Sequence, residues 1–363
     1  MGVEVQTVVV VDDDPIVADG VAVGIARAGR RVIVCRDIEC ARLVMELEPV
    51  NAVIADIQFR GDFSFDGLDF VDFVKKELPG TPIFLMTGAG YSGLEKEAER
   101  RGASGFFRKP FSVTELEECL PSPLGASAEG PPVNVPELDQ LIEERLIHTR
   151  FQPVVRLDDG EPIGFESLAR PVTETLFQSP EVLFRYASRT DRTIELEEYC
   201  LSRSIEAAAN LPKGRKLFLN IHPSSLERRS IVSIIERRLS ATGFDPRDVV
   251  LEITEQGEIE SGASLEQISA LKEMGVEFAL DDIGIAFSHL PYIEEIEPSW
   301  MKISQYFGSG FEADETKNKI VRNVASLAFS FEAKFILEGI ETEETAEAAR
   351  RLGIEYGQGY LYA

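Results

Sequence analysis

The chain has 363 residues, 44% hydrophobic and 28% charged, a globular composition with apolar material for two or three domains. Lys and Arg number 37 against 63 Asp and Glu, so the net charge of −26 argues against direct nucleic-acid binding while leaving room for a phosphate ligand held through cations. No apolar run reaches the roughly 18 residues of a membrane span, and the start MGVEVQTVVVVDDDP has no basic region of a signal peptide, so no membrane insertion and a cytoplasmic location are expected.

Residues 5–120 alternate strand and helix signals. Thr7–Val11, Arg31–Cys35, Ala52–Ala55, Pro82–Met86 and Gly105–Arg108 read as strands. Pro15–Ala28, Glu39–Glu46, Leu68–Leu78, Leu94–Arg101 and Val113–Leu120 read as helices. This order predicts an α/β domain over 1–121, a doubly wound, five-stranded parallel sheet. Residues 122–136, rich in Pro, Gly and Ala, read as a linker. From 137 to 363 the alternation resumes, with strands at Phe151–Arg156, Ile163–Leu168, Leu217–Ile221, Val249–Ile253, Glu277–Leu280, Trp300–Ile303, Phe335–Leu337 and Tyr356–Tyr362. Eight strands with helices between most of them predict a (β/α)8 barrel of the TIM type. The stripe Leu196, Tyr199, Cys200, Ala207 and Leu211 predicts a helix with Cys200 in the core. Cys35, Cys40, Cys119 and Cys200 read as reduced, buried thiols; a metal pair at Cys35 and Cys40 lacks further ligands. Three histidines, His148, His222 and His289, leave little material for a His-rich metal site.

Polar residues end these strands, where open α/β sheets and barrels place their sites. In the first domain Asp12, Asp13 and Asp56 converge, and three carboxylates together require a cation such as Mg²⁺. Thr87 and Lys109 add a hydroxyl and an ammonium. In the second, Glu166, Asn220, Glu252, Asp281, Asp282, Lys302, Glu338 and Gln358 share one rim. Five acids against Lys302, with Arg170 as a possible second cation, form a hard, oxygen-rich set that suits two Mg²⁺ or Mn²⁺ ions clamping a phosphodiester. Lys302 stabilises the water and developing charge there, and Glu338 accepts the proton. Ordinary polar capping explains one or two such residues, not a whole layer.

The strings VVVVDDDP, AVIADIQF, FLMTG and GFFRKPF resemble the response-regulator receiver family. The resemblance implies that Asp56 is the phosphoacceptor, with Asp12 and Asp13 helping to hold one Mg²⁺. It also implies Thr87 and Lys109 on the phosphoryl group, Phe106 at the switch aromatic position, a cis Lys109–Pro110 peptide and a cognate histidine kinase as partner.

The strings FQPVV, FESLARP, LFLNIHP, LEITE, ALDDIG, MKIS, LEGIETEE and GQGY, in family order, resemble the EAL family of cyclic di-GMP phosphodiesterases. The resemblance implies hydrolysis of cyclic di-GMP to linear pGpG. Glu166, Asn220, Glu252 and Asp281 become metal ligands, and Asp282 belongs to the second metal. Lys302 orients water, Glu338 is the base or a further ligand, and Gln358 lies beside the metals. Gln152 and Arg170 contact the nucleotide. Glu255 braces the loop after Asp282, and Glu341 supports the rim. Because that loop also sets dimer contacts in the family, a homo-oligomer is expected.

Four departures stand out. Ser167 replaces Ala in the Glu-Ala-Leu motif and should face away from the metals. The loop reads DDIGIAFSHL where the family has DDFGTGYSSL, so Ile285 and Ala286 replace Thr and Gly. Ser188 stands where the family has Glu. The family continues past the last strand with a proline-containing loop and a helix. The loop change leaves open an alternative, a catalytically silent cyclic di-GMP sensor or adaptor.

Overall fold

β1 (Gln6–Val11) is buried at all six positions, because a parallel strand covered by helices on both faces has no wet side. The structure, a computed structural model, describes residues 5–59, 66–88, 93–122, 130–228, 230–253, 262–284, 293 and 295–363. Its first sheet continues with β2 (Arg30–Cys35), β3 (Ala52–Asp56), β4 (Ile83–Thr87) and β5 (Gly105–Arg108), in the order β5-β4-β3-β1-β2-β6. Helix α1 (Pro15–Ile25) starts where Asp14 accepts hydrogen bonds from the backbone of Ile16 and Val17 and Pro15 takes the first position. Asp14 is thereby a helix cap, and the neighbouring Asp12 and Asp13 are the acids left at the strand end. The other helices of this domain are α2 (Ile38–Leu47), α3 (Asp66–Glu77), α4 (Leu94–Arg101) and α5 (Val113–Cys119).

The sixth strand corrects the five-stranded expectation. Within the segment read as linker, β6 (Val133–Asn134) pairs in parallel with β2, and the buried Val135 donates its N–H to Val34 at 2.9 Å. An apolar Val-x-Val inside a proline-rich run suffices to extend an open sheet edge, whose unpaired backbone groups are satisfied by the added strand.

The second sheet is a closed barrel of eight strands: β7 (Ile147–Arg156), β8 (Pro162–Pro171), β9 (Lys216–Ile221), β10 (Val249–Ile253), β11 (Glu277–Ile283), β12 (Trp300–Ile303), β13 (Lys334–Leu337) and β14 (Tyr356–Gly357). One strand differs from the fully parallel arrangement of most (β/α)8 barrels, since β7 runs antiparallel to β14. The last strand stops at Gly357, and Tyr360–Tyr362 is a 3-10 turn rather than strand.

Strand alternation builds the barrel interior in two layers. Val154, Phe218, Val250, Ala279, Trp300 and Ile336 form an apolar plug, with Phe218 and Trp300 edge to face at 5.3 Å. Gly164 makes room in it, because a Cβ there would meet the Phe218 ring at 2.8 Å. Two residues further along β9 to β13 come Asn220, Glu252, Asp281, Lys302 and Glu338, and Gln358 follows Tyr356 likewise. The period of two places them on the same inward face, one layer above the plug.

The chain divides into two compact units, 1–146 with 171–191 and 147–170 with 192–363. The first therefore includes helix α7 (Pro180–Arg189), which carries Ser188, besides α6 (Leu138–Glu143). The second contains helix α8 (Thr193–Ala208), whose buried stripe is Leu196, Glu197, Leu201, Ser204, Ile205 and Ala208. Tyr199 and Cys200 are thus off the buried face, Cys200 is only half-buried and Cys119 is exposed, against the expectation of four core thiols. Cys35 and Cys40 are buried.

Candidate functional site

In the barrel, Lys302 Nζ is the hub. It lies 2.8 Å from Glu338 Oε1, 2.9 Å from Glu252 Oε1, 3.1 Å from Glu166 Oε2 and 3.4 Å from Asp281 Oδ1. The side chain exposes no surface. One ammonium cannot neutralise four carboxylates at these distances, so the pocket retains a strong negative potential. Arg170, expected as a possible second cation, does not join the cluster; its guanidinium donates to its own strand, at Ala169 O.

Glu166 is the best-satisfied acid. Asn220 Nδ2 donates to its Oε1 at 3.0 Å and Gln358 Nε2 to its Oε2 at 2.6 Å. Burial alone would raise its pKa, but Lys302, Gln358 and Asn220 together hold it below the ordinary value. The other acids go the opposite way. Burial, reinforced by neighbouring carboxylates, pushes Glu252 well up and raises Asp281 and Glu338 as well, despite Lys302. Asp282 follows in a left-handed conformation, φ +55°, with its N–H on Asp281 Oδ1 at 2.8 Å.

Two acid triads emerge, Glu166/Glu252/Asp281 and Asp281/Asp282/Glu338, each with ligand atoms within 4.8 Å of one another. Asp281 belongs to both. The donor set is carboxylate throughout, with the Asn220 amide alongside, which suits a hard divalent ion rather than zinc. Glu252 carries the strongest sign of fit: it is 0% exposed and neither of its oxygens accepts a hydrogen bond of good geometry from the described residues, the Lys302 contact included. A buried carboxylate in that state calls for a cation.

A cavity of about 600 Å³ opens over this floor. Gln152, Arg170, Glu341, Asn220, Asp282, Glu338 and Gln358 line it as the sequence suggests, while Lys302 and Glu252 lie beneath its surface. Arg150, Gln305 and Tyr360 also line it and were not legible as site residues. Arg150 had a signal, being two residues before Gln152 on the same strand face. It has no carboxylate partner among the described residues, which in a chain of charge −26 marks a cation open to an anionic ligand. Ser167 faces away from the cluster, with its hydroxyl 2.5 Å from Ser204 Oγ. Glu255, Ile285 and Ala286 lie outside the described residues.

The first domain gathers its own group. Asp12, at the end of β1, and Asp56, at the end of β3, are buried, and Lys109 Nζ bridges them at 2.6 and 3.0 Å. Asp13 completes a triad with ligand atoms within 4.8 Å. Burial raises the pKa of Asp12 and of Asp56 against the pull of Lys109. Burial would lower Lys109, but Asp12 and Asp56 outweigh it and raise it. Thr87 is buried at the end of β4, Phe106 is half-buried in β5, and the Lys109–Pro110 peptide is cis.

Comparison with known proteins gives two family matches, an EAL domain over residues 136–363 and a response regulator receiver domain over residues 8–120. The chain is 29% identical over 334 residues to the cyclic di-GMP phosphodiesterase RocR of Pseudomonas aeruginosa, covering 86% of this chain and 84% of RocR. It is 30% identical over 230 residues to the probable cyclic di-GMP phosphodiesterase PdeB of Escherichia coli, covering 62% of this chain but only 44% of PdeB. Among solved structures, the PaMucR phosphodiesterase in complex with c-di-GMP aligns with a TM-score of 0.56 at 26% identity, over 62% of this chain and 94% of that one. The EAL enzyme Bd1971 with cAMP and cyclic di-GMP bound aligns with a TM-score of 0.56 at 22% identity, over 62% and 63% of the two chains, a likeness of fold.

Proposed function

The chain belongs to the EAL domain family, with a response regulator receiver domain ahead of the barrel, and from that premise we propose that the barrel hydrolyses cyclic di-GMP to linear pGpG under control of phosphorylation at Asp56. The observation that carries this reading is the pair of acid triads sharing Asp281 on the floor of a cavity walled by Arg150 and Arg170.

Glu166, Asn220, Glu252 and Asp281 would hold one Mg²⁺ or Mn²⁺, and Asp281, Asp282 and Glu338 a second; a further Mg²⁺ would sit at Asp12, Asp13 and Asp56. When bound, the barrel ions supply charge neutralisation for the phosphodiester and make water more acidic. Lys302 holds Glu338 by Oε1 and leaves Oε2 to take the proton of the attacking water. Gln358 and Asn220 fix the orientation of Glu166. Arg150 and Arg170 bind the anionic ligand from the wall, and Gln152 and Glu341 shape the same rim. The water oxygen adds to phosphorus as its proton passes to Glu338, the P–O3′ bond breaks, and the leaving O3′ takes up a proton from solvent.

The receiver is then 1–121 and the EAL domain 137–363, and the segment 122–136 between them joins the two while its β6 strand extends the receiver sheet. The same reading makes a cognate histidine kinase the partner, a homo-oligomer the assembly and the cytoplasm the location. Among the described residues no helix is long and apolar enough to cross a membrane.

Incubation with cyclic di-GMP and Mg²⁺ or Mn²⁺ is expected to yield pGpG, and Glu338→Ala to abolish it. Binding without product, with Glu338→Ala indistinguishable from wild type, would replace the enzyme by the silent sensor that Ile285 and Ala286 favour.

A further inference from the structure

Helix α8 carries two polar residues, Glu197 and Ser204, on a buried face that is otherwise apolar. They are seven residues apart, two helical turns, and therefore project from one side of the helix. Burying a carboxylate at 4% exposure without a cation is costly, and no ion pair among the described residues offsets it. Each polar group nevertheless meets the barrel beside a proposed metal ligand.

Glu197 Oε1 accepts the backbone N–H of His222, two residues after Asn220, and Glu197 Oε2 accepts the hydroxyl of Ser225. His222 is the first residue past β9, and Ser225 sits in the 3-10 turn Pro223–Glu227 that follows. Both carboxylate oxygens are thus committed to fixing the chain where it leaves the strand that bears Asn220. Seven residues on, Ser204 Oγ lies 2.5 Å from the hydroxyl of Ser167, the residue next to Glu166. Asn220 and Glu166 are themselves joined at 3.0 Å.

We propose that α8 is a polar brace for the metal floor, with Glu197 as a positioning residue for Asn220 and Ser204 as one for Glu166. The inference rests on the metal-site reading above. In its ionised form Glu197 offers two acceptor oxygens to these two donors, where an amide offers one. Apolar packing alone holds a strand in place, but it does not set the angle of its last residue to the precision that coordination requires.

Calorimetric titration of Mn²⁺ into the full-length protein tests this without relying on turnover. Glu197→Gln keeps the volume and loses one acceptor, so Mn²⁺ affinity at the barrel should fall about tenfold, as outer-shell losses do. In an Asn220→Ala background the same change should alter affinity less than twofold, because its route is gone. Ser204→Ala provides the second, milder variant and should weaken Mn²⁺ binding while leaving the thermal midpoint within a few degrees of wild type. Wild-type affinity in both variants, or an equal loss with and without Asn220, would overturn the brace. Absence of barrel Mn²⁺ binding in the wild type would overturn the metal-site reading itself, a different result.

Discussion

Lys302 Nζ lies 2.9 Å from Glu252 Oε1, and neither side chain exposes any surface. Buried ion pairs rarely stabilise a fold by themselves, because desolvation offsets most of the attraction. This one is further unbalanced, since the same ammonium also meets Glu166, Asp281 and Glu338. On the proposed reading, the arrangement should cost stability in the absence of divalent ions and regain it when they bind.

Replacing Lys302 by Met should strand those of its four acidic partners that stay ionised, Glu166 above all, whose pKa Lys302 helps to hold down. In EDTA the loss should be about 3–5 kcal/mol, the usual cost of stranding buried charge. Mn²⁺ should restore much of it. Urea unfolding with and without Mn²⁺ reads both effects, and a variant insensitive to Mn²⁺ would refute the counter-charge role.

Glu252→Gln should act with opposite signs in the two conditions. Without metal it removes a carboxylate whose pKa burial and neighbouring acids have pushed well up, so stability should be unchanged or slightly higher. With metal it should lose at least about tenfold in Mn²⁺ affinity. A loss of stability in EDTA together with full Mn²⁺ affinity would contradict the assignment.

Burial pushes Glu197 from its ordinary 4.5 up to about 7. A carboxyl with a raised folded pKa contributes stability that is fully present below pH 4.5 and is lost as pH rises through about 7. The wild type should therefore lose roughly 3 kcal/mol relative to Glu197→Gln across that window. Urea midpoints in EDTA at pH 5, 6 and 8 measure it; parallel curves for the two proteins would show that Glu197 titrates normally.

In the receiver, Asp56 shares Lys109 with Asp12. A small-molecule phosphodonor with Mg²⁺ should add one phosphoryl group per wild-type chain and none to Asp56→Asn, read by intact mass. Lys109→Ala should still accept the group but lose any effect of phosphorylation on turnover. Equal labelling of Asp56→Asn would move the acceptor elsewhere.

The barrel site was legible because each apolar run ends in one polar residue, and the period of two carries Phe218 to Asn220, Val250 to Glu252 and Trp300 to Lys302. What stayed hidden has physical causes. Alternation is the same in either direction along a strand, so nothing in Phe151–Arg156 announces that β7 runs backwards. Val133–Asn134 is too short to stand out from its prolines, and its pairing depends on a free sheet edge. On α8 the polar Glu197 and Ser204 occupy the buried face, which rotated the apparent stripe onto Tyr199 and Cys200. Arg150 ends no run, and its place on the cavity wall follows only from closing the barrel.

The proposed chemistry needs the two triads to act as one binuclear cation site. Anomalous scattering from crystals soaked in Mn²⁺ and cyclic di-GMP locates the ions without reference to activity. Two peaks roughly 3.5–4 Å apart are expected, one touching Glu166, Glu252 and Asp281, the other Asp281, Asp282 and Glu338. No anomalous density at either triad, with Lys302 still gripping all four carboxylates, would contradict it.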